Sequence, residues 1–206
     1  MNHSKLNLFV VDDDEAVRSS LGMLLLSRGH AVQTFASGEA FLACGKLQGY
    51  GCVVLDLRMG AGMTGLQVFN SLRACASPLL VLFLSGHGDI STAVDAVQNG
   101  AFGWLEKSCG HERLLEKLNE ALMRASQLSN LGADRDKAQQ RWDTLTPRER
   151  EVARLVAQGH ANKEVARRME PPCELRTVEA HRAKVYAKLG LSKPPEIDRF
   201  VREHGL

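Results

Sequence analysis

The sequence predicts an α/β fold: a doubly wound, five-stranded parallel sheet over residues 1–125, then a small all-α domain. Two observations carry this. Strand-like and helix-like runs alternate five times up to residue 125, and no strand candidate follows residue 141. A third separates the parts by charge. Residues 1–125 carry 10 Lys and Arg against 12 Asp and Glu, whereas residues 126–206 carry 16 against 12.

The elements follow in order. LNLFVV (6–11) is short, apolar and ends in acids, as a first strand would. Residues 15–28 place Val17, Leu21, Leu24 and Leu25 at helical spacing, with Gly29 as the stop and Asp14 as the cap. AVQTF (31–35) alternates, and Ser37 opens a second helix running to about Leu47. CVVLDL (52–57) is a continuous apolar run of the kind buried on both faces of a sheet. A third helix spans about 64–74, and LLVLFL (79–84) is a fourth strand. Asp89 can cap a helix through Gln98, with Asn99 and Gly100 as its stop. FGWLE (102–106) is a fifth strand, and residues 111–127 form a long helix. From 126 to 141 apolar periodicity fades into a polar linker. Thr146, Pro147 and Glu149 then make a capping box with proline at the first helical position. That helix runs to Gln158. Three more span 162–169, a start at Leu175 or Thr177 to Leu189, and 194–201.

Composition narrows the function classes. At 44% hydrophobic and 24% charged residues, the chain is that of an ordinary globular protein. No apolar run approaches the roughly 20 residues of a membrane span. The N-terminus lacks the shape of a signal peptide, so a cytoplasmic location without a membrane partner is expected. The five cysteines are scattered with no C-x-x-C pair, which favours reduced thiols over a disulfide framework or a zinc site. Residues 160–193 hold 8 basic and 4 acidic residues, a patch suited to a polyanion such as nucleic acid.

The strand ends carry the chemistry. Asp12, Asp13 and Asp14 follow the first strand, Asp56 ends the third, Ser85 the fourth, and Lys107 follows the fifth. In doubly wound sheets the crevice lies beyond these carboxyl ends. Converging carboxylates repel one another, and a hard divalent cation relieves the repulsion. With a lysine and a hydroxyl opposite, these are the parts for phosphoryl transfer onto a carboxylate nucleophile.

The motifs VVDDD (10–14), LDLRM (55–59), SGHGD (85–89) and Lys107 in WLEK resemble the receiver domain of two-component response regulators, specifically the NarL/FixJ type. The flavodoxin-like receiver would span 1–125, a linker 126–141, and a LuxR-type helix-turn-helix domain 142–206. The resemblance implies that Asp56 is the phosphoacceptor and that Asp12, Asp13, Asp56 and the backbone carbonyl of Arg58 hold Mg²⁺. Ser85 would be the switch hydroxyl, Trp104 the switch aromatic, and Lys107 the phosphoryl contact. The family usually has proline where Gly60 stands, and proline after the lysine, where Ser108 stands.

GAGMTG (60–65) is also a literal G-x-G-x-x-G, the dinucleotide fingerprint. Against that reading, Asp56, Leu57, Arg58 and Met59 intervene between strand and first glycine, and Leu84 and Ser85 stand where an acidic ribose ligand should end the next strand.

LTPREREVARLVAQGHANKEVARRM (145–169) and RTVEAHRAKVYAKLGL (176–191) resemble the LuxR-type reader. Val178, Val185 and Leu189 form the inward stripe of its third helix and leave small and charged residues outward, which suits a major-groove reader. By the resemblance, residues 177–189 are the recognition helix, with Thr177 at its start and Glu179, Ala180 and Ala183 nearest base edges. Lys163, Arg176, Arg182, Lys184 and Lys188 are expected on phosphates. The turn MEPPCELRT is two residues longer than the family's, and Ala161 and Glu174 stand where capping side chains are usual.

The function expected is a DNA-binding transcriptional regulator, not an enzyme, phosphorylated by a sensor histidine kinase. It would dimerise through residues 93–98 and 111–127 to bind paired half-sites in double-stranded DNA, with RNA polymerase as a further partner. Two alternatives stay open at this point: a regulator acting independently of phosphorylation, and a nucleotide-sensing transcription factor.

Overall fold

The computed structural model describes residues 6–60, 62–86 and 90–205. Five strands, β1 (Asn7–Val11), β2 (Gln33–Phe35), β3 (Gly51–Asp56), β4 (Leu79–Ser85) and β5 (Gly103–Glu106), form one parallel sheet in the order β2-β1-β3-β4-β5. Between them run α1 (Glu15–Ser27), α2 (Gly38–Leu42), α3 (Gly65–Ala74) and α4 (Ile90–Gln98), and α5 (His111–Asp143) follows β5.

The strands are apolar on both faces because both faces are covered. Alternate residues Phe9, Val11, Val53, Leu55, Val81 and Phe83 pack with Phe41 of α2, Val68, Phe69 and Leu72 of α3, and Ala96 of α4. The intervening Leu8, Val10, Cys52, Val54, Leu82 and Leu84 pack with Leu21 and Leu25 of α1 and Leu114, Leu115 and Leu118 of α5. The two-layer covering is that of a doubly wound sheet. Its order reverses between β1 and β3, which places the crevice there.

The chain divides into two compact units, Met1–Asn130 and Leu131–Leu206. The second holds α6 (Pro147–Ala157), α7 (Asn162–Arg168), α8 (Leu175–Leu189) and α9 (Pro194–His204). Its core joins Val152 and Val156, Val165 and Met169, Val178, Val185 and Leu189, and Ile197 and Phe200 around Trp142. Thr146 makes the expected capping box with Glu149.

Three helices depart most from expectation. Helix α2 stops at Leu42, because Ala43 bonds back to the Glu39 and Phe41 carbonyls and Gly45 turns left-handed at φ 70°. Residues 126–141, read as a polar linker, continue α5 as helix to Asp143, and Ala138 lies in the second core. Helix α9 continues to His204, where Gly205 closes it in a left-handed cap. The proposed Asp89 cap lies outside the described residues.

Candidate functional site

The sheet register brings the acidic residues together. Val11 pairs with Leu55, so Asp12, one step beyond, stands beside Asp56. Both carboxylates are buried, at 2% and 5% exposure, and Lys107 spans them. Its Nζ lies 2.7 Å from Asp12 Oδ2 and 2.9 Å from Asp56 Oδ2. Asp13 is exposed, but oxygens of Asp12, Asp13 and Asp56 all lie within 4.8 Å of one another. Such an all-oxygen set suits a hard divalent cation.

Burial pushes the Asp12 carboxyl above its usual range, although Lys107 and the Asp14 amide pull the other way. For Lys107, burial draws the ammonium down, but hydrogen bonds and charges of Asp12 and Asp56 outweigh it and raise the pKa. The lysine therefore stays charged at neutral pH.

The backbone holds these groups in place. Asp14 caps α1 by accepting from the Ala16 and Val17 amides. Arg18, one turn further on, donates to the Asp12 and Asp13 carbonyls at 2.8 and 2.7 Å. Sequence reasoning passed Arg18 over, although its position after three acids was a usable signal. The Arg58 amide turns back on Asp56 Oδ1 at 3.3 Å, while the Arg58 side chain is exposed. Ser85 is buried at the end of β4, and its carbonyl accepts from the Lys107 amide at 2.8 Å. Trp104 is half-buried, its ring 5.2 Å from that of Phe83. Residues 87–89 of the SGHGD motif lie outside the described residues. Among the described residues the one cis peptide is Glu170–Pro171, so the bond before Ser108 is trans.

Among the described residues of the GAGMTG loop, two backbone amides are already engaged. The Gly60 amide donates to Asp13 Oδ2 at 2.9 Å, and the Met63 amide to Glu39 Oε1 at 2.7 Å. A pyrophosphate needs backbone amides free of other partners. Here carboxylates hold the amides of Gly60 and Met63.

In the second unit, Glu179, Ala180 and Ala183 lie exposed along α8, opposite the buried Val178, Val185 and Leu189. Arg176, Thr177, Lys184 and Lys163 are exposed as well. Two of the expected phosphate contacts are instead engaged internally. Lys188 Nζ lies 2.6 Å from Glu149 Oε2 and 3.0 Å from the Thr144 carbonyl. Arg182 donates to Asn162 Oδ1 on α7 and to Tyr186 Oη, and its guanidinium lies over the Tyr186 ring. Glu149 is only 3% exposed. Burial would raise its pKa, yet Lys188 and the Thr146 amide and hydroxyl hold it below the usual carboxylate range.

Ala161 and Glu174 make no side-chain caps, as expected. The long turn before α8 is tied down by other means. The Glu170 amide donates to Glu151 Oε1 at 2.8 Å, Arg148 pairs with the other Glu151 oxygen at 3.1 Å, and the Cys173 amide reaches the Ala166 carbonyl at 3.0 Å.

Comparison with known proteins agrees with both halves. Residues 8–119 match the response regulator receiver domain, and residues 143–200 match the bacterial regulatory proteins of the luxR family. The tetrathionate response regulatory protein TtrR of Salmonella typhimurium is 38% identical over 192 residues, covering 93% of this chain and 90% of that protein. The transcriptional regulatory protein FixJ of Bradyrhizobium diazoefficiens is 35% identical over 203 residues, 98% of each. The solved structure of the response regulator StyR superposes with a TM-score of 0.85 at 33% identity, over 97% of this chain and 99% of that one.

Proposed function

The chain belongs to the two-component response regulators that join a receiver domain to a LuxR-type DNA-binding domain, and from that premise we propose that Asp56 accepts a phosphoryl group from a sensor histidine kinase. The observation that carries this is the convergence of Asp12, Asp13 and Asp56 under Lys107 at the sheet's switch point. An Asp56 oxygen attacks phosphorus, the P–N bond to the kinase imidazole breaks, and its electron pair returns to that nitrogen, which takes up a proton. Asp12 and Asp13, with Asp56 and the Arg58 carbonyl, would hold Mg²⁺. Bound there, the cation screens charge on the phosphoryl oxygens. Lys107, now shared by two carboxylates, then turns to a phosphoryl oxygen, and the Ser85 hydroxyl serves another. Trp104 follows as the aromatic that senses the shift.

The output is regulated binding to double-stranded DNA. Phosphorylation favours a dimer through α4 and α5, so that two copies of α8 engage paired half-sites. Val94 and Val97 on α4 are exposed apolar residues suited to such a contact. Glu179, Ala180 and Ala183 face base edges, while Lys163, Arg176 and Lys184 take phosphates and Thr177 opens the helix beside them. Contact with RNA polymerase and a cytoplasmic location complete the assignment. No helix among the described residues is long and apolar enough to cross a membrane. The test is phosphorylation by a small phosphodonor: wild type should gain one phosphoryl group and Asp56→Asn none. Identical DNA binding by the two proteins in the presence of donor would favour a regulator that works without phosphorylation.

A further inference from the structure

The loop joining β3 to α3 is held by two carboxylates that belong to other elements. Asp13 takes the Gly60 amide, and Glu39, in the first turn of α2, takes the Met63 amide at 2.7 Å. Gly62 is what permits this second approach, since a Cβ there would lie 2.9 Å from Glu39 Oε1. The far end of the loop is backed onto Asp56 itself. The Gly65 amide donates to the Leu57 carbonyl at 2.9 Å, and a Cβ on Gly65 would sit 2.2 Å from the Asp56 carbonyl oxygen. Glycines at 60 and 62 restrict the backbone little, so the loop's position must be imposed from outside it. Asp13 already belongs to the acidic cluster. Among the described residues, that leaves Glu39 as the acidic anchor from another element that is not itself part of the site.

We propose that Glu39 is a positioning residue for phosphoryl acceptance at Asp56, holding the loop through the Met63 amide so that the Arg58 and Gly60 backbone stays seated around the carboxylates. The inference rests on Asp56 being the phosphoacceptor. Glu39 touches none of the reacting atoms and acts only through the chain it clasps. Its carboxyl is held below the usual range by its own amide and that of Met63, so it is ionised, and a strong acceptor, at neutral pH.

The experiment compares full-length wild type, Glu39→Ala and Glu39→Gln. Three quantities are read: Mg²⁺ affinity from Trp104 fluorescence in a Trp142→Phe background, the rate of adduct formation with acetyl phosphate by intact mass, and hydrogen exchange over residues 59–64. Losing one hydrogen bond should slow adduct formation and weaken Mg²⁺ binding by about three- to tenfold, with faster exchange in the loop. Glu39→Gln should recover most of all three, because its amide oxygen can still accept from Met63 although it lacks the carboxylate's charge. Wild-type rate and Mg²⁺ affinity in Glu39→Ala would overturn the proposal, even if loop exchange rose. A glutamine variant as slow as the alanine one would also overturn it, by showing that charge rather than the bond matters. No adduct on wild type would instead strike at Asp56 as acceptor, and the proposal would fall with it.

Discussion

Replacing Lys188 with methionine separates a structural lysine from a DNA contact. The ammonium meets a carboxylate, Glu149, that is 3% exposed and sits at the first turn of α6. Removing one partner of a fully buried pair costs about 3–5 kcal/mol. Here the Lys188 side chain is 34% exposed, so water already screens part of the attraction. Glu149 also keeps its bond from the Thr146 amide at 2.8 Å. With that discount, about 1–3 kcal/mol remains, and methionine preserves most of the stem's packing. Urea unfolding of the Trp104→Phe protein, followed by Trp142 in the second core, reads this unit alone. At roughly 1–3 kcal/mol per molar urea, the midpoint should fall by about 1 M. The pH dependence has a definite sign. Glu149 has a folded pKa below its ordinary 4.5, so its contribution is present above that value and is lost as pH falls through the folded pKa. The gap between wild type and Lys188→Met should therefore be full at pH 7 and close in acid. An unchanged midpoint at pH 7 would refute the clamp and return Lys188 to the DNA-facing set.

Other expectations follow from the same geometry. Gly65→Ala forces a methyl against the Asp56 carbonyl, so thermal unfolding of the first unit should show a loss of about 1–3 kcal/mol, with slower phosphorylation. In titrations of random-sequence duplex DNA, Lys184→Ala should lower the salt slope by about 1, whereas Arg182→Met, whose guanidinium is held by Asn162 and Tyr186, should leave the slope unchanged.

Much of the fold was legible because its signals are local. Runs such as CVVLDL and LLVLFL announce strands buried on two faces, and their in-register pairing then puts Asp12 beside Asp56 without further information. The capping box at Thr146 marks a helix start. What escaped was non-local. Residues 126–141 lack an apolar stripe, yet Ala138 and Trp142, four apart, insert into a core made by later helices. The basic residues of α8 look alike in sequence. Only the fold shows that Lys188 meets Glu149, 39 positions away, and Arg182 meets Asn162, 20 positions away. Glu39 was invisible for the same reason, its partner Met63 being 24 residues on.

The central claim is that the acidic crevice makes Asp56 a phosphoryl acceptor. Its most direct test is intact mass after incubation with acetyl phosphate and Mg²⁺, for wild type and Asp56→Asn. One phosphoryl adduct on wild type alone is the predicted result. No adduct on either protein, or an adduct on both, would contradict it.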